Sequence, residues 1–384
     1  MQFTARFLTL FWIGVWAADA RGDKLVIRER NGERRVEGNI LKTDSSGATL
    51  FETRDGQHLV VPKDRLVRSE KSEKPVPLWT RAELKTALAE EFGKDFKVTE
   101  SNGYVIVHSC STENAKEAGR LLNKAQNAFV TYFTKNGFHL QKSKQPLIAV
   151  VFEGREQYDR YVGKYLGDIA RMTVGVYIPP VNRIFLYNAF GGETAHKVGL
   201  ATDVNPTYGR QLAGQILEQN ISTLVHEAVH QAAYNTGFHN RKVVDYPLWL
   251  VEGMAMYFET TDVNAPQGWK GGKSVNRERA LRFKTVYQRG LSPGFLERLI
   301  VDDGYLRTQS TAQDGYALAW TFTYYLLRHH KAEYMEYVRL INSRPEFAAY
   351  PRSARLKDFE TAFKMPPSEM ETAFANAAAK LIER

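Results

Sequence analysis

One stretch of the sequence constrains the fold more than any other. Residues 221–234 form an uninterrupted helical pattern without Gly or Pro, and they carry His226, Glu227 and His230 in an H-E-x-x-H motif. Residues four positions apart lie on the same face of a helix, one turn from each other. Two imidazoles in this arrangement can reach one metal ion, with Glu227 beside them over the open side. Because the neighbouring side chains are uncharged, the helix can run through a core and present only these polar groups to a cavity.

A second apolar segment offers a third ligand. Glu252 is the only charged residue in residues 247–258. A lone carboxylate on such a helix is unfavourable unless it is paired or coordinated, and catalytic zinc typically has three protein ligands plus a water. We therefore expect Glu252 to complete a metal site with the two histidines. Two alternatives stay open: the histidines could be hydrogen-bonded core residues, and Glu252 could pair with an arginine.

With these two segments the sequence resembles a known group of enzymes. The H-E-x-x-H helix and the W-L-x-E-G-x-A-x-Y-F pattern of residues 249–258 are similar to those of the gluzincin zinc metallopeptidases. More narrowly, the chain resembles the peptidase-MA-like family, which includes an exported bacterial group described only as a domain of unknown function. The likeness extends over roughly residues 80–340.

The resemblance implies a reaction and the residues that perform it. His226, His230 and Glu252 would bind one Zn²⁺ ion. Glu227 would be the general base, removing a proton from the water that attacks a peptide carbonyl. The peptide substrate would lie extended along an edge strand, which we place in the hairpin of residues 174–187.

The same chemistry calls for a donor to the developing oxyanion and for a partner that orients the histidines. Tyr316 is the first candidate for the donor; the competing candidates are His239, Tyr305 and His196. Several gluzincins have an acidic residue one turn after the glutamate ligand, where it orients a histidine, and here that position is Met256. A ligating imidazole usually donates its other N–H to a carboxylate or carbonyl, and Asp245 or Glu259 could substitute.

The N-terminal segment has the layout of a secretory signal peptide. Residues 1–20 contain Arg6, an apolar stretch over residues 7–18, and an A-x-A sequence that ends at Ala20. We expect this segment to be removed, the alternative being an uncleaved N-terminal anchor. Cys110 is the only cysteine, which excludes an internal disulfide and a lipoprotein anchor. The expected location is secreted or periplasmic, in a bacterial cell envelope.

Turn signals and periodicity predict an α+β chain with two domains. Four short strands over residues 24–30, 34–42, 47–54 and 57–62, with Asp55-Gly56 as a hairpin turn, indicate a small SH3-like β-barrel at residues 22–68. A polar linker follows at residues 69–79. Residues 80–384 are expected to form a zincin-like domain. It would have an α/β part with a mixed sheet at residues 80–215 and a mostly helical part with the active site at residues 216–384.

The charge and hydropathy of the chain limit the classes of partner that we expect for it. Lys and Arg number 52 against 43 Asp and Glu, giving a net charge of +9. The basic residues are dispersed, so a nucleic-acid partner is not expected. No stretch is long and apolar enough for a stable membrane span after signal cleavage.

We therefore expect an exported zinc-dependent peptide hydrolase, that is, a zinc metallopeptidase. Its small β domain would bind an envelope component. The alternatives are a catalytically silent, metal-binding zincin-fold protein that serves as an envelope binding module, and a structural envelope protein whose fold the metal stabilises.

Overall fold

A computed structural model describes residues 22–29, 32–187, 192–240, 245–260, 270, 274–345 and 348–382, and of residues 192–197 and 381–382 it describes the backbone only. The expected signal peptide at residues 1–20 lies outside the described residues. The chain divides into two compact units, Met1–Leu78 and Trp79–Arg384. The predicted α+β class is confirmed: an antiparallel sheet comes first, then a mixed sheet with helices, then a mostly helical C-terminal half.

The first unit is a five-stranded antiparallel sheet with the strand order β4-β3-β2-β1-β5. Leu25, Ile27, Phe51 and Val61 form its buried apolar cluster. The turn at Asp55-Gly56 follows from the positive φ of +79° at Gly56, a conformation that favours glycine. The strands are β1 (Asp23–Glu29), β2 (Gly32–Thr43), β3 (Thr49–Thr53), β4 (His58–Val61) and β5 (Leu66–Glu70).

Strand β5 was not among the predicted strands. It pairs antiparallel with β1, with Lys24 opposite Glu70, and so includes Ser69 and Glu70, which lie in the predicted linker. Most of its side chains are exposed, because it lies at the end of the sheet; its first residue, Leu66, packs against the buried apolar cluster. Polar edge strands of this kind protect a sheet against pairing with other chains, and they leave no hydrophobic alternation in the sequence.

The second unit begins with a mixed five-stranded sheet in the order β6-β7-β8-β10-β9. Its central strands β7, β8 and β10 run parallel, and β9 pairs antiparallel with β10 at one end. Every residue of β8 is buried, as expected for a parallel strand covered by helices on both faces. The strands are β6 (Lys97–Ser101), β7 (Tyr104–His108), β8 (Leu147–Phe152), β9 (Gly175–Ile178) and β10 (Arg183–Tyr187).

Helices cover both faces of this sheet. α1 (Arg81–Phe92) and α3 (Arg155–Leu166) pack on one face around Val150 and Phe185, while α2 (Thr112–Lys135) packs on the other face with the helical half of the unit. A capping box begins α1, with Thr80 and Glu83 each accepting a hydrogen bond from the other's backbone N–H.

The C-terminal half is helical throughout its described part. Its longest helix, α5 (Pro206–Asn235), is capped at its start by the Asn205 side chain and contains the predicted helical segment of residues 221–234. Among the described residues, no helix has the length and apolar composition needed to cross a membrane. The helices are α4 (Gly192–Val204), α5 (Pro206–Asn235), α6 (Leu248–Phe258), α7 (Arg277–Gln288), α8 (Phe295–Val301), α9 (Gly304–Arg307), α10 (Ala312–His329), α11 (Lys331–Asn342), α12 (Arg352–Phe363) and α13 (Pro367–Ile382).

Two contacts fix the helices that carry the predicted ligands. The buried Gln231 side chain of α5 donates to the carbonyls of Ile148 and Asn182, at 3.1 and 3.2 Å, which attaches α5 to the sheet. In α6, Gly253 lies so close to α10 that an added Cβ would be 2.6 Å from the carbonyl oxygen of Ala319. The sheet, α5, α6 and α10 therefore form one packed stack around the candidate site.

Candidate metal centre

His226, His230 and Glu252 converge. The Nε2 atoms of the two histidines are 2.9 Å apart, and the Glu252 carboxylate oxygens lie 3.2 Å from Nε2 of His226 and 3.7 Å from Nε2 of His230. All three donor atoms lie within 4.8 Å of one another. Helix α5 supplies the histidines from adjacent turns, and α6 supplies the carboxylate across the helix interface.

This donor set fits a divalent cation such as zinc. Imidazole nitrogens and a carboxylate oxygen are the ligands of catalytic zinc sites with three protein donors. The ion-pair partners of Glu252 are the two histidines, and within the described part of the chain no arginine pairs with it. The arrangement therefore differs from the salt bridge that the sequence left open as an alternative for this residue.

The charges of these groups are strongly coupled. Burial alone raises the pKa of Glu252, but the charge of His230 and the hydrogen bonds with both imidazoles outweigh it and hold that pKa well below its usual range. Burial alone lowers the pKa of His226, but hydrogen bonds with Glu252 and Glu259 raise it well above its usual value. The carboxylate is thus held in the ionised form that ligates a cation.

Glu227 is next to this cluster and is engaged elsewhere. The residue is 9% exposed, and its Oε2 accepts a hydrogen bond of 2.6 Å from the backbone N–H of Tyr177 in edge strand β9. The Tyr177 hydroxyl donates to Oδ1 of Asn182 at 3.0 Å, and Asn182 also bonds Asn235 of α5. The candidate base is therefore attached to the strand proposed to bind substrate.

Glu259 orients His226. Its Oε1 lies 3.0 Å from Nδ1 of His226, on the side of the ring opposite to Nε2, the nitrogen that faces His230 and Glu252. Burial alone raises the pKa of Glu259. The hydrogen bond with His226 and the charge of Arg279 outweigh this effect, so that the pKa is lower than its usual value. The other candidate, Asp245, has an exposed side chain, and Met256 is buried in the apolar core.

The oxyanion-donor candidates separate into two groups. Tyr316 of α10 lies near the site: the negative charge of Glu252 and burial raise its pKa, so its hydroxyl stays protonated. His239 is also near the site: burial and the charge of His230 lower its pKa to about 3. Tyr305 is placed among the charges of Asp314 and three arginines instead. The side chain of His196 is outside the described residues.

Residues 220–348 match the family model described as "Protein of unknown function (DUF1570)". The curated proteins contain no match to the chain. The matched segment includes both histidines, Glu227, Glu252 and Tyr316, but not the sheet that carries β9. It supports a domain of unknown function over this part of the chain, and the family description assigns no activity.

Sequence reasoning missed two residues beside this site. Asn276 donates from Nδ2 to Oε2 of Glu259 at 2.7 Å, and Nη2 of Arg279 lies 3.5 Å from Oε1 of the same carboxylate. Both are at the start of α7. Asn276 is recognisable in the sequence as a helix cap, but nothing in the sequence indicates that its amide group points at Glu259.

Proposed function

We propose that the chain is an exported zinc-dependent peptide hydrolase of gluzincin type. One Zn²⁺ would be held by His226, His230 and Glu252, and Glu227 would be the general base. The observation that carries the proposal is the convergence of three donor atoms from two helices within 4.8 Å. Glu227 lies beside these donors and is not one of them. Glu227 is not needed to hold the ion, and its place beside the three donors is the one that a general base requires.

The ion and the protein have separate tasks in the proposed reaction. When bound, zinc lowers the pKa of water and polarises a carbonyl as a Lewis acid. Glu227 takes a proton from the attacking water as the new C–O bond forms, and it gives that proton to the leaving amine as the C–N bond breaks. General base assistance of this kind is typically worth about 10²–10⁴-fold in rate.

Two donors support these steps. The N–H of Tyr177 fixes the direction of the Glu227 carboxylate, leaving its other oxygen to accept the proton of the water. The Tyr316 hydroxyl stabilises the negative charge that develops on the carbonyl oxygen, a contribution of about 10²–10³-fold for donors of this type. Its raised pKa keeps the proton available for donation.

The substrate is proposed to be a peptide or protein segment in extended form. Strand β9 pairs with β10 on one side and ends the sheet on the other. An extended peptide can add to such an edge through main-chain hydrogen bonds, and the contact between Tyr177 and Glu227 places this edge directly beside the candidate base.

The cellular context is proposed from the sequence. The signal-peptide pattern of residues 1–20 supports export, with a secreted or periplasmic product in a bacterial envelope. We propose that the first unit binds an envelope component, and we propose neither a nucleic-acid partner nor a stable membrane span.

The test combines metal binding with cleavage. The purified protein is incubated with a peptide library, with and without a chelator, beside the variant Glu227→Gln. We expect one zinc per chain, cleavage that the chelator abolishes, and a variant that keeps zinc but loses cleavage. Cleavage that survives in Glu227→Gln contradicts the role of this residue. Zinc-dependent stabilisation without cleavage of any library member supports instead the structural envelope protein whose fold the metal stabilises.

A further inference from the structure

Both oxygens of the Glu259 carboxylate are held by other side chains. Oε1 lies 3.0 Å from Nδ1 of His226 and 3.5 Å from Nη2 of Arg279, and Oε2 accepts the 2.7 Å hydrogen bond from Asn276. The Glu259 side chain is only 7% exposed, so water has little access to replace these partners. The orientation of the carboxylate is therefore fixed from the start of α7.

Asn276 performs two tasks with its two amide atoms. Its Oδ1 accepts a hydrogen bond of 3.2 Å from the backbone N–H of Arg279, which caps α7. Its Nδ2 is directed at Glu259. An N-cap needs only an acceptor, and Ser, Thr or Asp would supply one equally well. Asparagine adds the donor that the Glu259 contact requires.

We propose that Asn276 and Arg279 are positioning residues of the metal centre, which fix Glu259 so that it in turn fixes the ring of His226. The inference rests on the proposed function, since it takes His226 as a zinc ligand through Nε2. According to this inference, the affinity of the site for the ion depends on the start of α7 as well as on α5 and α6, the helices that carry the ligands.

The physical reason is the tautomer of His226. An imidazole that ligates through Nε2 must carry its proton on Nδ1, and the acceptor opposite Nδ1 selects that tautomer. Glu259 is this acceptor. If its carboxylate rotates, the proton can move to Nε2 and compete with the ion. Asn276 holds one oxygen against rotation through its 2.7 Å hydrogen bond, and Arg279 lies 3.5 Å from the other oxygen.

Arg279 also lies beside Tyr316. Its guanidinium carbon lies 6.0 Å from the centre of the Tyr316 ring, and its charge lowers the pKa of that tyrosine against the opposing effect of Glu252. The first turn of α7 thus contacts both the partner of a proposed ligand and the proposed oxyanion donor. A change at Arg279 is expected to alter both zinc affinity and turnover.

The test measures zinc affinity in the full chain by competition with a chromogenic chelator. Asn276→Ser keeps the cap and removes the donor, and we expect it to weaken zinc binding by about 10-fold, at the lower end of the effects measured for partners of metal ligands. Asn276→Asp also keeps the cap but places a second carboxylate against Glu259, so its loss is expected to exceed that of Asn276→Ser.

Arg279 has a matched control on the same turn. We expect Arg279→Met to lose affinity by about 10-fold and Arg279→Lys to retain part of it. Arg277→Met removes the same charge from an exposed position and is expected to bind zinc like the wild type. Thermal melting of the metal-free proteins reports the fold: melting temperatures equal to that of the wild type, together with weaker zinc binding, support a positioning role.

The outcomes separate the two proposals. If the wild type binds zinc and Asn276→Ser and Arg279→Met bind it equally well, the positioning role is wrong and the metal site stands. If affinity falls in Arg277→Met as much as in Arg279→Met, the effect is general electrostatics and the inference is overturned. A wild type that binds no zinc overturns the proposed function and this inference with it.

Discussion

The backbone N–H of Tyr177 donates to the carboxylate of Glu227 across 2.6 Å. The bond joins the edge strand of the sheet to the helix that carries the candidate zinc ligands. Because the donor is a main-chain N–H, proline is the one substitution of Tyr177 that removes it. The bond also means that the position of the candidate base depends on the position of β9. Substrate addition to that edge and orientation of the base are thereby linked through one residue.

Tyr177→Pro tests this link. Proline lacks the N–H and is tolerated at sheet edges where that group points away from the ladder, as it does here toward Glu227. A hydrogen bond to a charged group contributes about 1.5–3 kcal/mol, so we expect kcat for peptide cleavage to fall about 10–100-fold while zinc affinity is unchanged. Tyr177→Phe keeps the N–H and loses only the hydroxyl that donates to Asn182. It should cleave within a few-fold of the wild type, and equal losses in both variants would contradict the assigned role of the N–H.

Metal removal should destabilise the second unit. A ligand that binds only the folded state at 100 times its dissociation constant stabilises that state by about 2.7 kcal/mol, which corresponds to roughly 5 °C in Tm for a domain of this size. We expect a chelator to lower Tm by about this amount in calorimetry. Glu252→Gln, which removes one proposed ligand, should show no chelator-dependent shift. Glu278→Gln, at an exposed position of α7, should shift like the wild type. A shift that persists in Glu252→Gln would mean that the ion binds elsewhere.

Substitutions of Tyr316 and His239 distinguish these two candidates for the oxyanion donor. If Tyr316 is the donor, Tyr316→Phe lowers kcat by about 10²–10³-fold and leaves zinc affinity and Tm close to those of the wild type. His239→Gln should then have a small effect on kcat. The His239 ring packs against Tyr246 in a tilted arrangement, with centroids 4.7 Å apart, which favours a packing role for it. The reverse pattern, with His239→Gln inactive and Tyr316→Phe active, would reassign the donor to His239.

The sequence predicted those parts of the site that are encoded locally. His226 and His230 share one helix face by periodicity alone, and Glu252 stands out because its helix is otherwise apolar. Glu259 could only be named beside Asp245, because the choice between them depends on where the chain goes after α6. Asp245 has a positive φ of 60° and an exposed side chain, and its backbone carbonyl accepts a hydrogen bond from Arg355.

Other features could not be predicted because they join segments distant in sequence through groups that carry no signature. The Tyr177 N–H is a main-chain atom present at every position except proline. The contact of Asn276 with Glu259 spans the connection between α6 and α7, and the cap that Asn276 forms gives no indication of it. Strand β5 escaped prediction for a different reason: its exposed polar side chains are those of a linker, and only its pairing with β1 distinguishes it.

The last prediction concerns Gly253, which sets the distance between α6, the helix that carries Glu252, and α10. A Cβ at this position would lie 2.2 Å from Oγ1 of Thr323 and 2.6 Å from the carbonyl oxygen of Ala319. The threonine hydroxyl can rotate away, but the backbone carbonyl of a buried helix cannot, so Gly253→Ala must separate α6 from α10. Overpacking of a core typically costs about 1–3 kcal/mol, and the same movement displaces the Glu252 carboxylate from the histidines.

We therefore expect Gly253→Ala to lower the free energy of unfolding in urea by about 1–3 kcal/mol and to weaken zinc binding. The control is Gly214→Ala in α5, where an added Cβ meets no atom within 4 Å. Alanine is the better helix former there by about 0.8–1.0 kcal/mol, so this variant should be as stable as the wild type or more so. A Gly253→Ala protein as stable as Gly214→Ala would show that α6 and α10 can move apart without cost, and that their close packing does not hold Glu252 in place.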